Sequence, residues 1–123
     1  MLRKNDQTTL AQRRGFTKCL QAGVRIAFGT DSGIYPHGLN ACQFAYQVRC
    51  GQSLLEAIRS ATLHAAELLR WDDRVGRIQA GYLADIIAVP GNPLHDTRLL
   101  EHTDFVLKDG ALVRHSPERG CPG

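Results

Sequence analysis

The sequence predicts an α/β fold, and three observations carry that reading. A helical run stops at Gly23 and passes directly into the short, β-branched and aromatic Val24-Arg25-Ile26-Ala27-Phe28. A Gly/Asp loop, Gly29-Thr30-Asp31-Ser32-Gly33, then follows the carboxyl end of that strand. Beyond Trp71-Asp72-Asp73 the chain changes from Ala/Leu-rich to β-branched residues punctuated by Gly, Asn and Pro. A helix feeding a buried strand, with a second strand-rich segment behind it, belongs to α/β architecture.

Residues 8–22 read as the first helix, with Leu10, Phe16 or Cys19, and Leu20 near helical spacing and Gly23 as the stop. The strand 24–28 is bounded by Gly23 and Gly29, and Pro36 and Gly38 forbid regular structure in the loop after it. A helix over 39–48 follows, with Phe44 and Val48 four apart and Gly51 just past its end. Ser53 and Glu56 then form a Ser-x-x-Glu capping box, in which each side chain satisfies a backbone N–H of the other residue. Leu54, Leu55, Ile58, Ala65, Leu68 and Leu69 give that helix its apolar face, and two short helices divided near Ala61-Thr62 fit equally well.

Gly76-Arg77-Ile78-Gln79-Ala80-Gly81 has the look of a strand and turn, and Ile86-Ile87-Ala88-Val89 reads as a strand stopped by Pro90. Phe105-Val106-Leu107 and Ala111-Leu112-Val113 flank Asp109-Gly110, a strong two-residue hairpin signal. The chain therefore divides into helix, strand and helices over 1–72, a strand-rich segment over 73–114 and a loose polar tail over 115–123.

At 123 residues the chain has the size of one small domain, and with 43% hydrophobic and 22% charged residues it is neither disordered nor a membrane span. No window reaches the roughly 18 apolar residues of a spanning helix, and residues 1–14 are too polar for a signal peptide, so a cytoplasmic protein with no membrane partner is expected. Cys19, Cys42, Cys50 and Cys121 stand singly, which points to reduced thiols. The net charge of +3 is modest, and Arg3, Lys4, Arg13, Arg14 and Lys18 are too dispersed, with no interleaved aromatics, to bind nucleic acid.

Asp31 is the residue of interest, because the carboxyl edge of a parallel sheet is where βα loops converge on ligands. Taken alone, it fits a turn or cap somewhat better than catalysis. His37, in Pro36-His37-Gly38, lies on the same loop and either touches substrate or is simply exposed. His64 sits within a helix and reads as a packed or surface residue, while His95, His102 and His115 fall in the strand-rich segment and tail and read as structural or solvated. Ser32 and Tyr35 line a pocket mouth or serve the turn, and Asp85 reads as capping or anchoring a strand, not as a metal ligand.

Taken together and in order, several motifs resemble the end of an amidohydrolase-superfamily enzyme, in the imidazolonepropionase-related and Xaa-Pro dipeptidase-like subgroup. They are Gly29-Thr30-Asp31-Ser32-Gly33 after strand 24–28, Pro36-His37-Gly38, Leu55-Glu56-Ala57-Ile58, Ala61-Thr62 and Ala65-Ala66-Glu67-Leu68-Leu69. Gly76-Arg77-Ile78, Gly81-x-x-Ala84-Asp85, Asn92-Pro93-Leu94 and Lys108-Asp109-Gly110 continue the series, which covers roughly residues 8–114. The resemblance implies the C-terminal portion of a (β/α)8 barrel followed by part of a small terminal β-sandwich. By the same resemblance Asp31 is both catalytic residue and metal ligand, holding a divalent metal, usually zinc, in the complete enzyme. It would take a proton from the water that attacks a carbonyl carbon and deliver it to the leaving amine.

The family pattern also has His-x-His on the first strand, a lysine or glutamate and two further histidines, none of which precedes Asp31 here. A barrel of this kind takes roughly 200 residues or more, and a catalytic zinc normally has three protein ligands. The resemblance thus implies a truncated piece of a metal-dependent enzyme that hydrolyses amide, peptide or cyclic-amide C–N bonds. This chain by itself is expected to hold no metal and to be inactive without the missing N-terminal barrel portion. Its substrate in the complete enzyme would be a small-molecule amide or dipeptide. The alternatives are a non-catalytic scaffold or interaction module, and a small α/β binding protein with accidental similarity. Unpaired strand edges further predict marginal solubility and self-association.

Overall fold

The computed structural model describes residues 2–33 and 37–115, with side chains from Thr9 onward. Of the loose tail expected over 115–123, residues 116–123, with Cys121, lie outside the described residues, as do Tyr35 and Pro36. Helix α1, Leu2–Gln21, starts before the first apolar residue of the sequence pattern. It ends where Gly23 turns left-handed at φ 71°, and the Val24 and Gly23 N–H groups close back on the carbonyls of Cys19 and Leu20, each at 3.0 Å. That pairing satisfies two carbonyls which the helix itself leaves open.

The expected strand over 24–28 is not part of any sheet: residues 24–30 run without ladder partners among the described residues. A strand is defined by its neighbour, and no other segment described here lies alongside it. Helices hold it instead. The Phe28 N–H donates to the Ser60 carbonyl at 2.9 Å, and the Phe28 ring stacks on Phe44 at 4.5 Å. Arg25 forms an ion pair with Glu67.

Helix α2 is Cys42–Arg49, and the next helix is divided into α3, Leu54–Ala61, and α4, Leu63–Leu69. The break falls at Thr62, whose φ of −122° and ψ of −87° leave the helical region while its hydroxyl donates to the Ile58 carbonyl at 2.9 Å. Only half of the expected capping box forms. The Ser53 hydroxyl accepts from the Glu56 N–H at 3.2 Å, but the Glu56 carboxylate turns to Arg59 at 2.6 Å, because that cation lies one turn along the same face.

The segment 76–81 is not a strand. Gly76 and Gly81 both have φ of 89°, a conformation no strand residue adopts, and the segment runs as turns. Strands β1 (Ile86–Ala88), β2 (Phe105–Lys108) and β3 (Ala111–His115) form one antiparallel sheet in the order β1-β2-β3. A 3-10 turn over Thr97–Glu101, with no forewarning in the sequence, packs against α2. The Asp109-Gly110 hairpin forms with φ of 50° and 75°, the left-handed pair that a two-residue turn of this hand requires. His115, read from the sequence as tail, belongs to β3, opposite Phe105, whose ring it meets edge-on at 6.0 Å.

Asp85 anchors the hairpin tip, as its carboxylate accepts from Lys108 Nζ at 2.6 Å and from the Asp109 N–H at 2.8 Å. The Lys108 bond chiefly, and the Asp109 N–H after it, hold the Asp85 carboxyl below its ordinary value of 3.8. Because the folded value is depressed, the anchor's contribution is complete above pH 3.8 and is lost as pH falls through the lower folded value. The Asp109 amide resonance is accordingly expected to titrate below pH 3.8 in the native chain and to lose that titration in Asp85→Asn. An unchanged titration in the variant would assign it to another group.

Little apolar surface is enclosed. Among the described residues the buried hydrophobics are Ala57 in α3 and Ala66 in α4, while Leu68 and Ile78 are 72% and 84% exposed. No described helix is long and apolar enough to cross a membrane.

Candidate active site

Asp31 sits where the chain leaves the extended segment 24–30, and it is one of three non-glycine residues with positive φ among those described, at 47°. Left-handed backbone disfavours most side chains, and aspartate tolerates it better than most. The Asp31 side chain is exposed, and no hydrogen bond to its carboxylate is found among the described residues. A carboxylate presented this way can accept a proton or ligate a cation. Ser32, next along, points its hydroxyl inward, where it is buried with no partner among the described residues.

His37 is exposed in the turn that leads toward α2. No direct bond joins it to Asp31 among the described residues, yet the two are linked through a residue the sequence reading passed over. Asn40 Nδ2 donates to Thr30 Oγ1 at 2.9 Å, and Asn40 Oδ1 accepts from the Gly38 N–H at 3.3 Å. The neighbour of Asp31 and the neighbour of His37 are thereby held by one amide. The available signal was an asparagine just before a helix, where that residue commonly bonds to local backbone.

His64 serves packing: its Nδ1 lies 3.3 Å from the Ile26 carbonyl, fastening α4 to the extended segment. Two clefts of about 310 and 300 Å³ flank residues 24–27, one lined by Glu67 and Leu68 and the other by Gln52 and Glu56. A cavity of about 440 Å³ between α1 and α2, lined by Arg13, Tyr46 and Gln47 among others, contains neither Asp31 nor His37.

Among the described residues no three or more of His, Cys, Asp and Glu come together in a way that could hold a metal ion. A catalytic zinc takes three protein ligands, so Asp31 and its described surroundings do not fit such a centre by themselves. What the arrangement offers is one accessible carboxylate on a fixed loop.

A model of the amidohydrolase family matches residues 1–114. Among solved structures, the chain superposes on a Xaa-Pro dipeptidase with methionine bound in its active site, with a TM-score of 0.81 and 48% identity, covering 83% of this chain and 25% of that one. It is 36% identical over 106 residues to the ochratoxinase of Aspergillus niger, covering 82% of this chain and 22% of that protein. The imidazolonepropionase of Rubrobacter xylanophilus is 33% identical over 106 residues, with 24% of its length covered. The chain thus spans about a quarter of the length of the relatives it matches.

Proposed function

Because the chain belongs to the amidohydrolase family, we propose that it supplies one catalytic carboxylate, Asp31, to a hydrolytic centre acting on amide, peptide or cyclic-amide C–N bonds. The observation that carries this reading is the exposed Asp31 carboxylate, held in left-handed backbone where the extended segment ends. Backbone of that kind is kept where the surrounding structure, and commonly a function, demands it. Asp31 takes the proton of the water that adds to the scissile carbonyl carbon, then returns a proton to the departing nitrogen. His37, exposed on the other side of the Asn40 bridge, contacts the substrate.

The family generally uses divalent metals, and zinc is the ion we assign to the assembled centre. The described residues do not make a metal site by themselves, and we assign the remaining ligands to an N-terminal barrel portion of the kind the family pattern has. That polypeptide would also cover exposed apolar residues such as Val24, 52% exposed, and pair the edges of residues 24–30. In its absence the same edges favour self-association. The likeness to the Xaa-Pro dipeptidase, at 48% identity, supports a dipeptide or N-acylated amino acid as substrate.

Zinc content after purification with zinc offered tests this reading, with the native chain and Asp31→Ala compared alone and after mixing with an N-terminal barrel polypeptide of the family. The expected result is no stoichiometric zinc on either chain alone, and zinc on the native mixture that falls on substitution. Stoichiometric zinc on the lone native chain, lost in Asp31→Ala, would mean that a site assembles within or between copies of this chain. Mixtures that bind zinc equally with and without Asp31 would favour the non-catalytic scaffold.

A further inference from the structure

The geometry points to Asn40 as the positioning residue of this site: its side-chain amide holds Asp31 in left-handed backbone and ties the residue before Asp31 to the residue after His37. Asn40 stands just before α2, whose first residue is Cys42, so its own backbone is fixed by a helix packed against α3. From that base the amide uses both of its ends. The Nδ2 group donates to Thr30 Oγ1 at 2.9 Å, and Oδ1 accepts from the Gly38 N–H at 3.3 Å. Thr30 directly precedes Asp31 and Gly38 directly follows His37, so each candidate side chain has a neighbour tied to the same planar group.

The preceding residue is the effective place to act on Asp31. Its φ of 47° is an unfavourable choice for a non-glycine residue, and nothing bonded to its own side chain among the described residues holds it there. A bond from the adjacent Thr30 side chain restricts where the Asp31 N–H can turn, and that restriction reaches the carboxylate through one residue of backbone. Asparagine suits the task because one rigid amide donates and accepts at once, which neither serine nor alanine at this position would do across the same span. Positioning of this kind matters because a proton acceptor displaced by about 1 Å loses rate on the order of a hundredfold.

Nuclear magnetic resonance of the full labelled chain tests this without any need for activity. Left-handed Asp31 gives a strong intraresidue cross-peak between its amide and α protons. Asn40→Ala is expected to lower the ratio of left-handed to other Asp31 conformers roughly fivefold to tenfold, as the loss of the bond to Thr30 implies, and to shift the His37 and Gly38 amides together. Amides of α3 and α4 should stay in place. Thr30→Val, which removes the same bond from its other end, should reproduce the Asp31 change, and Thr30→Ser, which keeps the hydroxyl, should not.

Asp31 unmoved in Asn40→Ala, with α3 and α4 intact, would overturn the assignment. So would a change in Asn40→Ala that Thr30→Val fails to share. If Asn40→Ala does not fold, Asn40→Ser decides, since a serine cannot reach both partners: a cross-peak weakened there supports the clamp, and one kept overturns it. The inference rests on Asp31 being the hydrolytic carboxylate, and the two can fail separately. A moved Asp31 signature, with zinc uptake in the mixture indifferent to Asp31→Ala, would leave the clamp standing and remove the proposed function.

Discussion

Asp31→Asn is expected to slow amide or dipeptide hydrolysis by the assembled enzyme by roughly a hundredfold to ten-thousandfold, the usual contribution of a general acid-base group. The substitution is nearly isosteric, and asparagine tolerates left-handed backbone as aspartate does, so the φ of 47° can persist. What disappears is the ability to accept a proton from water. The measurement is initial rate at saturating substrate, with the native chain and the variant each assembled with the N-terminal barrel polypeptide. The thermal midpoint of the lone chain should not move, because the Asp31 side chain is exposed and bonded to nothing among the described residues. A variant as fast as the native protein would take Asp31 out of the chemistry, whatever its effect on folding.

The largest stability effect is expected at Gly76. A Cβ placed there would lie 2.8 Å from the Ala66 Cβ and 2.9 Å from the Thr62 carbonyl oxygen, in backbone of φ 89°. Neither obstacle is the end of a flexible side chain: one is backbone, the other a buried alanine in α4. Gly76→Ala should therefore destabilise by about 2 to 4 kcal/mol, combining overpacking with the penalty of left-handed backbone. Gly81 supplies the control, since its φ is also 89° but nothing lies within 4 Å of the position its Cβ would take. Gly81→Ala should cost only the backbone part, about 1 kcal/mol. Urea midpoints separate the two, and equal shifts would show that crowding against Thr62 and Ala66 has no weight. Because total stabilities of domains are on the order of 5 to 15 kcal/mol, the Gly76 variant loses a sizeable share.

Local chemistry was legible wherever the physics is local. The Asp109-Gly110 hairpin formed with the two left-handed residues its sequence requires, Gly23 ended α1, and Ser53 capped α3 through the Glu56 N–H. The ordered motifs from Gly29 to Gly110 were sufficient to place the chain in its family, which the match over residues 1–114 shows. Relations between distant segments were less visible. Glu56 left the capping box for Arg59, and residues 76–81 became turns because two of their glycines are left-handed. The role of Asn40 was hidden because it depends on residues two and ten positions earlier meeting in space.

By itself the sequence determined the helices, the hairpin, the family and the position of the one carboxylate worth testing. These follow from backbone preferences, side-chain periodicity and an ordered motif series, all of which are properties of neighbours along the chain. Tertiary structure alone decided that residues 24–30 are held by Phe44, Ser60 and Glu67 and, among the described residues, by no adjoining strand, and that Thr30 and Gly38 share one amide. The physical reason is that a strand and a site are both made by partners. An extended run becomes a strand only when another pairs its N–H and C=O groups, and a carboxylate becomes a reactive centre only when other groups converge on it.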